Sequence, residues 1–548
     1  MSTEVTGTES RRPPWEPWAA AAIVLLAAVL RLVALDSIPP GLWYDEAIYA
    51  LDGLSIGHGN WPIFFTTEGH MREPLYIYYL GGFFALFGHA VWKARAATAL
   101  WGIFGVALMW PVGKRVFGNA RWALVGMFCL AVFRWHLHFS RSVFRAALPP
   151  VFILLVVVFF LRWRESRKTS DAILCGLFLG LGLYTYLSFR FIPIVLVVWV
   201  TWLLWHRQLE WRRDWRSLAM IVAVSVAVFL PLGVDYLRHP EHFSGRMDEV
   251  SMFRKTLETK NPDGSPGKVE VPKTTLEAAS GLTANAWDIA KMWTVRGDHV
   301  GKHNLPYEPV FDWISGLFFY IGLIWCVVNS GRNEFAFLTL VWIFFMSLTS
   351  VFSFGAPNLL RMQGATPAVV MVYVFGLKWT WDSLARSAVK PTFRLAAVGA
   401  LLALFASIQL DTYFRRFPRS LAVQQEFQKW NLCEPARAVL NTGSVAQKIY
   451  VPQEMADHPT FRFITWGVDN LVSYGPTEDA PTTATRPFAF VATVRSEDLA
   501  KARHKDPLRD IKMLNSARRE FDFLLPTAER DGEPANWIHW GEMWLVKP

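Results

Sequence analysis

The sequence predicts an α-helical polytopic membrane protein that carries a small C-terminal α/β domain, and three observations predict it. Apolar residues make up 53% of the 548 positions and aromatic residues 15%, and the mean hydropathy of +0.24 is too high for an ordinary soluble enzyme of this length. Apolar runs long enough to cross a bilayer, at roughly 17 to 25 residues each, centre near residues 18–35, 95–113, 121–139, 146–163, 171–187, 191–205, 217–235, 310–329, 335–352, 362–380 and 394–410. Beyond them, short strand-like runs alternate with helical stretches from 411 to 548.

The first run follows Arg11 and Arg12 and lacks a small-x-small cleavage site after it, so it reads as an uncleaved first span. A further run, 74–88 (PLYIYYLGGFFALFG), is short, starts with Pro74 and contains Gly81 and Gly82. It reads either as a tilted span or as a helix lying at the interface. Charge arbitrates, because adding one span inverts every later loop. If 74–88 does not cross, the inside loops hold Lys114/Arg115/Arg121, Arg162/Arg164/Arg167/Lys168, Arg207/Arg212/Arg213/Arg216, Arg332 and Lys378/Arg386/Lys390/Arg394. The short outside loops then keep only Arg141/Arg145, Arg190 and Arg361. The expectation is therefore about eleven spans in the cell (inner) membrane, with the N-terminus cytoplasmic and the C-terminal domain extracytoplasmic.

This divides the chain into a transmembrane domain, 1–410, with long outer loops at 36–94 and 236–309, and an outer α/β domain, 411–548. In the second loop Leu282, Ala286, Ile289 and Trp293 recur at helical spacing, which predicts an amphipathic helix. In the tail, KIYV at 448, FRFITW at 461, FAFVATV at 488 and FDFLL at 521 read as strands. The net charge of +10 comes from clusters between apolar runs, which points to cytoplasmic loops and excludes a nucleic-acid surface. Cys129, Cys175 and Cys326 lie in apolar runs and Cys433 has no evident partner, so no disulfide framework is implied.

The first outer loop, GLWYDEAIYALDGLSIGHGNWPIFFTTEGHMREPLYIYY, sets Asp45 and Glu46 a few residues past the first span. Adjacent carboxylates point in different directions on a helix, so the two are not expected to share one task. On residue type alone they also suit a helix start, where acids meet the positive end of the helix dipole. The proline-rich lead, Trp-Tyr-Asp-Glu-Ala-x-Tyr-Ala, the following Gly-Asn-Trp-Pro and the Pro-Leu-Tyr run resemble the first outer loop of the GT-C glycosyltransferases. The protein O-mannosyltransferases and lipid A aminoarabinose transferases are the nearest in pattern. The similarity continues through SRSVFRAALPP (140–150), LGLGLYTYLSFRFIP (179–193) and FDWISGLFFYIGL (311–323).

The resemblance implies a GT-C-like bundle, a polyprenyl-phosphate-linked sugar donor, a lipid, glycan or protein acceptor on the outer face, and Asp45 as catalytic base beside Glu46. An inverting transfer needs one base in reach of the acceptor hydroxyl, and a departing phosphate needs no protonating acid. The donor phosphate does need fixed positive charge, which Arg supplies through its planar fork of donors. Arg72 beside Glu73, Arg141, Arg145, Arg190 and Arg361 are the substrate-binding candidates, with Arg145 and Arg361 ranked first. Each also has the ordinary role of an Arg that snorkels from a span end to the headgroups.

Several members of the superfamily carry a carboxylate in the turn after the third span, whereas Ser140-Arg141-Ser142-Val143-Phe144-Arg145 has none. No cofactor and no bridging divalent metal is expected, since His136/His138 and His299/His303 lack a companion acid cluster in sequence. Arg296-Gly297-Asp298 reads as a loop turn. A polytopic lipid or solute transporter is the alternative from another class. It would favour polar residues in mid-span and inverted repeats, while the richest polar segment here is an outer loop.

Overall fold

A computed structural model describes residues 15–69, 71–260, 266–442, 447–474 and the tail segments 488–493, 516–519, 525–526, 537–538 and 541–546. The helices in chain order are α1 (Glu16–Leu32), α2 (Tyr44–Gly57), α3 (Leu75–Phe87), α4 (Val91–Phe117), α5 (Ala120–Val132), α6 (Arg134–Phe139), α7 (Leu148–Ser166), α8 (Thr169–Gly182), α9 (Ile192–Trp205), α10 (Trp211–Arg238) and α11 (Pro240–Val250). A hairpin, β1 (Arg254–Lys260) and β2 (Pro266–Pro272), precedes α12 (Thr275–Met292), α13 (Trp313–Asn329), α14 (Glu334–Val351), α15 (Thr366–Arg386) and α16 (Pro391–Asp411). Ten of the eleven apolar runs fall mainly on one helix each, and the run 121–139 is broken at Phe133 into α5 and α6. Among the described residues, six helices are long and apolar enough to cross a membrane by length and composition. The chain has two compact units. Met1–Val33, Pro62–Tyr76 and Ala96–Arg415 form the first, and Ala34–Trp61, Ile77–Arg95 and Arg416–Pro548 the second.

In the first unit, α7 is the central helix, with 89% of its apolar window buried, whereas α10 and α16 turn their apolar faces outward. Ion pairs gather at one end of this bundle: Lys114–Glu16 (3.7 Å), Arg115–Glu165 (2.8 Å), Arg164–Glu334 (2.5 Å) and Arg167–Asp214 (2.7 Å). The end of α4 thus meets the start of α1, so the two helices run antiparallel and the chain between them returns to the end it left. At 13 residues, α3 is only about 20 Å long, short of a bilayer's roughly 30 Å core. Near the opposite end, α5 stops at Phe133, and its freed carbonyls at Leu130 and Ala131 accept from the buried Arg31 guanidinium at 3.4 and 3.0 Å. The expected amphipathic helix is α12, with Ile289 and Met292 buried and Leu276 and Trp287 exposed; Ala286 lies on its exposed side.

α13 and α15 touch backbone to backbone. A Cβ on Gly322 would lie 1.9 Å from the Val372 carbonyl oxygen, and one on Gly376 1.9 Å from that of Phe318. Glycine at these two positions permits the close approach, as small residues do between membrane helices.

In the second unit, the tail adds α17 (Leu421–Glu426), α18 (Glu434–Thr442), β3 (Lys448–Pro452), α19 (Gln453–Asp457), α20 (Pro459–Ile464), β4 (Leu471–Tyr474), β5 (Phe488–Thr493), β6 (Ser516–Arg519), β7 (Leu525–Pro526), β8 (Trp537–Ile538) and β9 (Gly541–Val546). The five-stranded sheet has the order β4-β3-β5-β9-β6; β3 runs parallel to β4 and β5, and β9 antiparallel to β5 and β6. Ile449 and Val451 of β3 pack with Val439, Met455 and Phe461 in the core of this unit. FRFITW is a correction: it forms α20 and the turn after it, because His458 caps the helix through Thr460 N and Pro459 sits preset at its first position. KIYV and FAFVATV supply β3 and β5, and residues 521–524 of FDFLL lie outside the described residues.

The first-loop segment 34–61 belongs to this unit. Leu42 N donates to Phe427 O at 2.9 Å, and a Cβ on Gly41 would lie 2.2 Å from the same oxygen. Cys433 is buried there, accepts from Leu42 N at 3.2 Å, and has its thiol pushed by burial up to about 12. All four cysteines are free. A topology test must therefore use an engineered thiol such as Leu440→Cys, at an exposed position of α18. Labelling by an impermeant maleimide in intact cells is expected; labelling only after lysis overturns the outward assignment of the tail.

Candidate active site

Asp45 and Glu46, the second and third residues of α2, have different surroundings. Glu46 is fully buried; its Oε2 accepts from Trp43 N at 3.0 Å and pairs with Arg95 Nη2 at 3.4 Å. Arg95 is itself fully buried and also donates to the carbonyls of Leu35 (2.9 Å), Pro39 (2.9 Å) and Gly41. One guanidinium thus ties the proline-rich lead to the start of α2. Asp45 is half-buried and makes no hydrogen bond or ion pair among the described residues. The two acids therefore divide as their opposed helix positions suggest: Glu46 is held in place, and Asp45 keeps its lone pairs open.

In the first unit, the loop end of the bundle collects cations around one acid. Pro74 biases Glu73 toward an extended backbone, and an antiparallel bridge between Phe65 and Arg72 anchors the segment before it. Glu73 Oε2 pairs with Arg145 Nη1 at 2.5 Å and Oε1 with Arg190 Nη2 at 3.3 Å. Arg145 is delivered by a 3-10 turn (Arg145–Ala147) that leads into the Pro149-Pro150 start of α7. Arg190 lies on another (Leu187–Phe191), just before Pro193 of α9. Arg190 also donates to Tyr236 Oη at 3.0 Å and to Phe243 O at 2.8 Å. Arg145 stands over the Tyr186 ring at 5.6 Å. Burial pushes the Arg361 guanidinium below its ordinary value, although an Arg stays charged in a protein, and its Nη1 donates to Phe354 O at 2.8 Å.

The structure joins Glu73, Arg145 and Arg190, and commits two candidates elsewhere. Arg141 is fully buried, donates to Leu30 O at 2.7 Å and lies over the Tyr413 and Phe414 rings. Arg72 donates to the carbonyl and hydroxyl oxygens of Thr67. Tyr236 and Arg95 were not among the sequence candidates. Arg95 stands at the edge of an apolar run, an odd place for a lone cation, and that was its only signal.

Asp298 lies in a loop and is buried: it accepts from Val300 N, Leu359 N and His303 Nδ1. His303 does have an acid companion at 3.0 Å, as a hydrogen-bonded pair, and burial lowers its pKa. One group of three His or acid side chains among the described residues has metal-ligand spacing: His239, Glu241 and His242, at the start of α11. It is largely exposed, and His242 Nδ1 already bonds Asp235 Oδ2 at 2.8 Å.

The fold has counterparts of known structure. ArnT from Cupriavidus metallidurans bound to undecaprenyl phosphate aligns with a TM-score of 0.55 and 14% identity, over 96% of this chain and 98% of that one. The apo state of the same protein aligns with a TM-score of 0.54 and 15% identity over the same shares. The chain has the fold of ArnT. Residues 71–233 match the family described as Dolichyl-phosphate-mannose-protein mannosyltransferase. That stretch contains Arg72, Glu73, Arg145 and Arg190. No curated protein matches the chain by sequence.

Proposed function

We propose that the protein is an inverting glycosyltransferase that moves a sugar from a polyprenyl-phosphate donor to a lipid, glycan or protein hydroxyl on the outer membrane face. The buried cluster of Arg145 and Arg190 on Glu73 carries this reading, since two guanidiniums at the loop end of a GT-C bundle suit a lipid-linked phosphate. The undecaprenyl phosphate bound by ArnT supports the donor class.

In this reading Asp45 takes the proton of the acceptor hydroxyl as its oxygen attacks the anomeric carbon. The bond from that carbon to the phosphate oxygen breaks on the opposite face, and polyprenyl phosphate leaves with the electron pair. Arg145 and Arg190, with Arg361, hold the phosphate and stabilise the charge that grows on it. Glu46 and Arg95 hold the start of α2, so Asp45 keeps its place without spending its own lone pairs on structure.

The test uses undecaprenyl phosphate, the moiety shared by every donor irrespective of sugar. Purified protein in liposomes is expected to bind it, and Arg145→Gln to weaken binding at least about tenfold, as loss of a charge-assisted hydrogen bond does. Absence of binding overturns the reading. Because the positive charge comes from arginines, turnover of a polyprenyl-phosphate sugar is expected to survive chelator. Loss in chelator with recovery in magnesium or manganese overturns that part.

A further inference from the structure

Glu73 is the odd member of the cluster. A site for an anion gains from every positive charge, yet this one spends two guanidiniums on an internal carboxylate whose side chain is only 5% exposed. Arg145 is equally hidden, at 4%, and Arg190 at 16%. Each carboxylate oxygen faces a different arginine, and the arginines approach from different elements, the 3-10 turns before α7 and α9. The acid therefore lowers the net charge of the pair by one unit where water screens little.

We infer that Glu73 is a charge selector that weakens the phosphate site's hold on the product relative to the donor, an inference that rests on the proposed function. The donor is a phosphodiester and carries one negative charge. The released polyprenyl phosphate is a monoester and carries up to two at neutral pH, its second pKa lying near 6. Each added positive charge in the site favours the dianion over the monoanion, and each removed one does the opposite. With Glu73 in place, the extra charge that bond cleavage exposes gains less from the site than it would against two unopposed arginines, which speeds the product's departure. Without Glu73, product binds more tightly and release slows. Glu73 touches no reacting bond in this scheme; it acts through Arg145 and Arg190.

The experiment compares two probes on the full-length protein in liposomes at pH 8: undecaprenyl phosphate and its methyl diester, which has one negative charge and no sugar. Relative to wild type, Glu73→Gln is expected to shift the affinity ratio toward the monoester by about tenfold, and Glu73→Asp, which keeps the charge, to leave it near wild type. Arg190→Gln, which removes a positive charge, is expected to shift the ratio toward the diester, and supplies the test if Glu73→Gln does not fold. At pH 5, where both probes are mainly monoanions, the shifts are expected to shrink. A merely structural Glu73 changes both affinities together, without this pH signature. A ratio unchanged in Glu73→Gln and Arg190→Gln, or a shift that persists in full at pH 5, overturns the inference. Failure of wild type to bind either probe instead overturns the phosphate-site reading beneath it.

Discussion

Asp45→Asn is expected to abolish sugar transfer while donor binding stays close to wild type. Asn preserves the volume and most of the hydrogen-bonding capacity of Asp but cannot take up the acceptor's proton. General-base assistance contributes roughly 10²–10⁴ in rate, and the loss should fall on kcat rather than on KM. Asp45 lies in the first turn of α2, so a helix-start role is the competing account. It makes a different forecast, because Asn suits a helix start about as well as Asp and the substitution would then cost little. Glu46→Gln provides the contrast. Its partner Arg95 is fully buried, so the change should appear as lost stability, on the order of 3–5 kcal/mol for a broken buried pair, rather than as a selective loss of turnover. Near-normal kcat in purified Asp45→Asn would make Asp45 structural.

Gly376→Val is expected to prevent α13 and α15 from packing. Its first side-chain carbon would sit 1.9 Å from the Phe318 carbonyl oxygen, and that obstacle is backbone, which cannot swing aside as a side chain can. The helices must separate, with a cost on the order of 3 kcal/mol or more. Gly399 is the control, since a Cβ added there meets nothing within 4 Å. Melting of the detergent-solubilised protein should show a large drop for Gly376→Val and little change for Gly399→Ala. Equal melting temperatures for the two variants would mean that the close approach is not required.

The bundle was legible because lipid allows little else: a run such as 146–163 has to be helical when no water can satisfy its backbone. The Asp-Glu pair was legible as a motif, and its division of labour was not, because Glu46's partner lies 49 residues away at Arg95. The same holds for Glu73, whose arginines come from positions 145 and 190. No local pattern reports which cation an acid meets after folding. FRFITW misled for a different reason, since its alternating aromatics mimic a strand while Pro459 and His458 set a helix start. Arg141 and Arg145 stand four residues apart in one turn, and both are candidate phosphate ligands in the sequence, Arg145 ranked above Arg141. Packing distinguishes them, by turning the first toward Leu30 and the second toward Glu73.

The second unit is assembled from chain made at opposite times in synthesis. Residues 34–61 emerge from the ribosome early, yet the groups that receive Gly41 and Leu42, Phe427 O and Cys433, emerge nearly four hundred residues later. The loop that presents Asp45 cannot reach its final form until translation is almost complete, and contacts this distant in sequence form late and slowly. A nascent or prematurely terminated chain would carry the helices of the first unit while the segment that presents Asp45 is still unfinished. The tail is thereby an integral part of the unit that carries Asp45, and its removal would leave Gly41 and Leu42 without the groups that receive them.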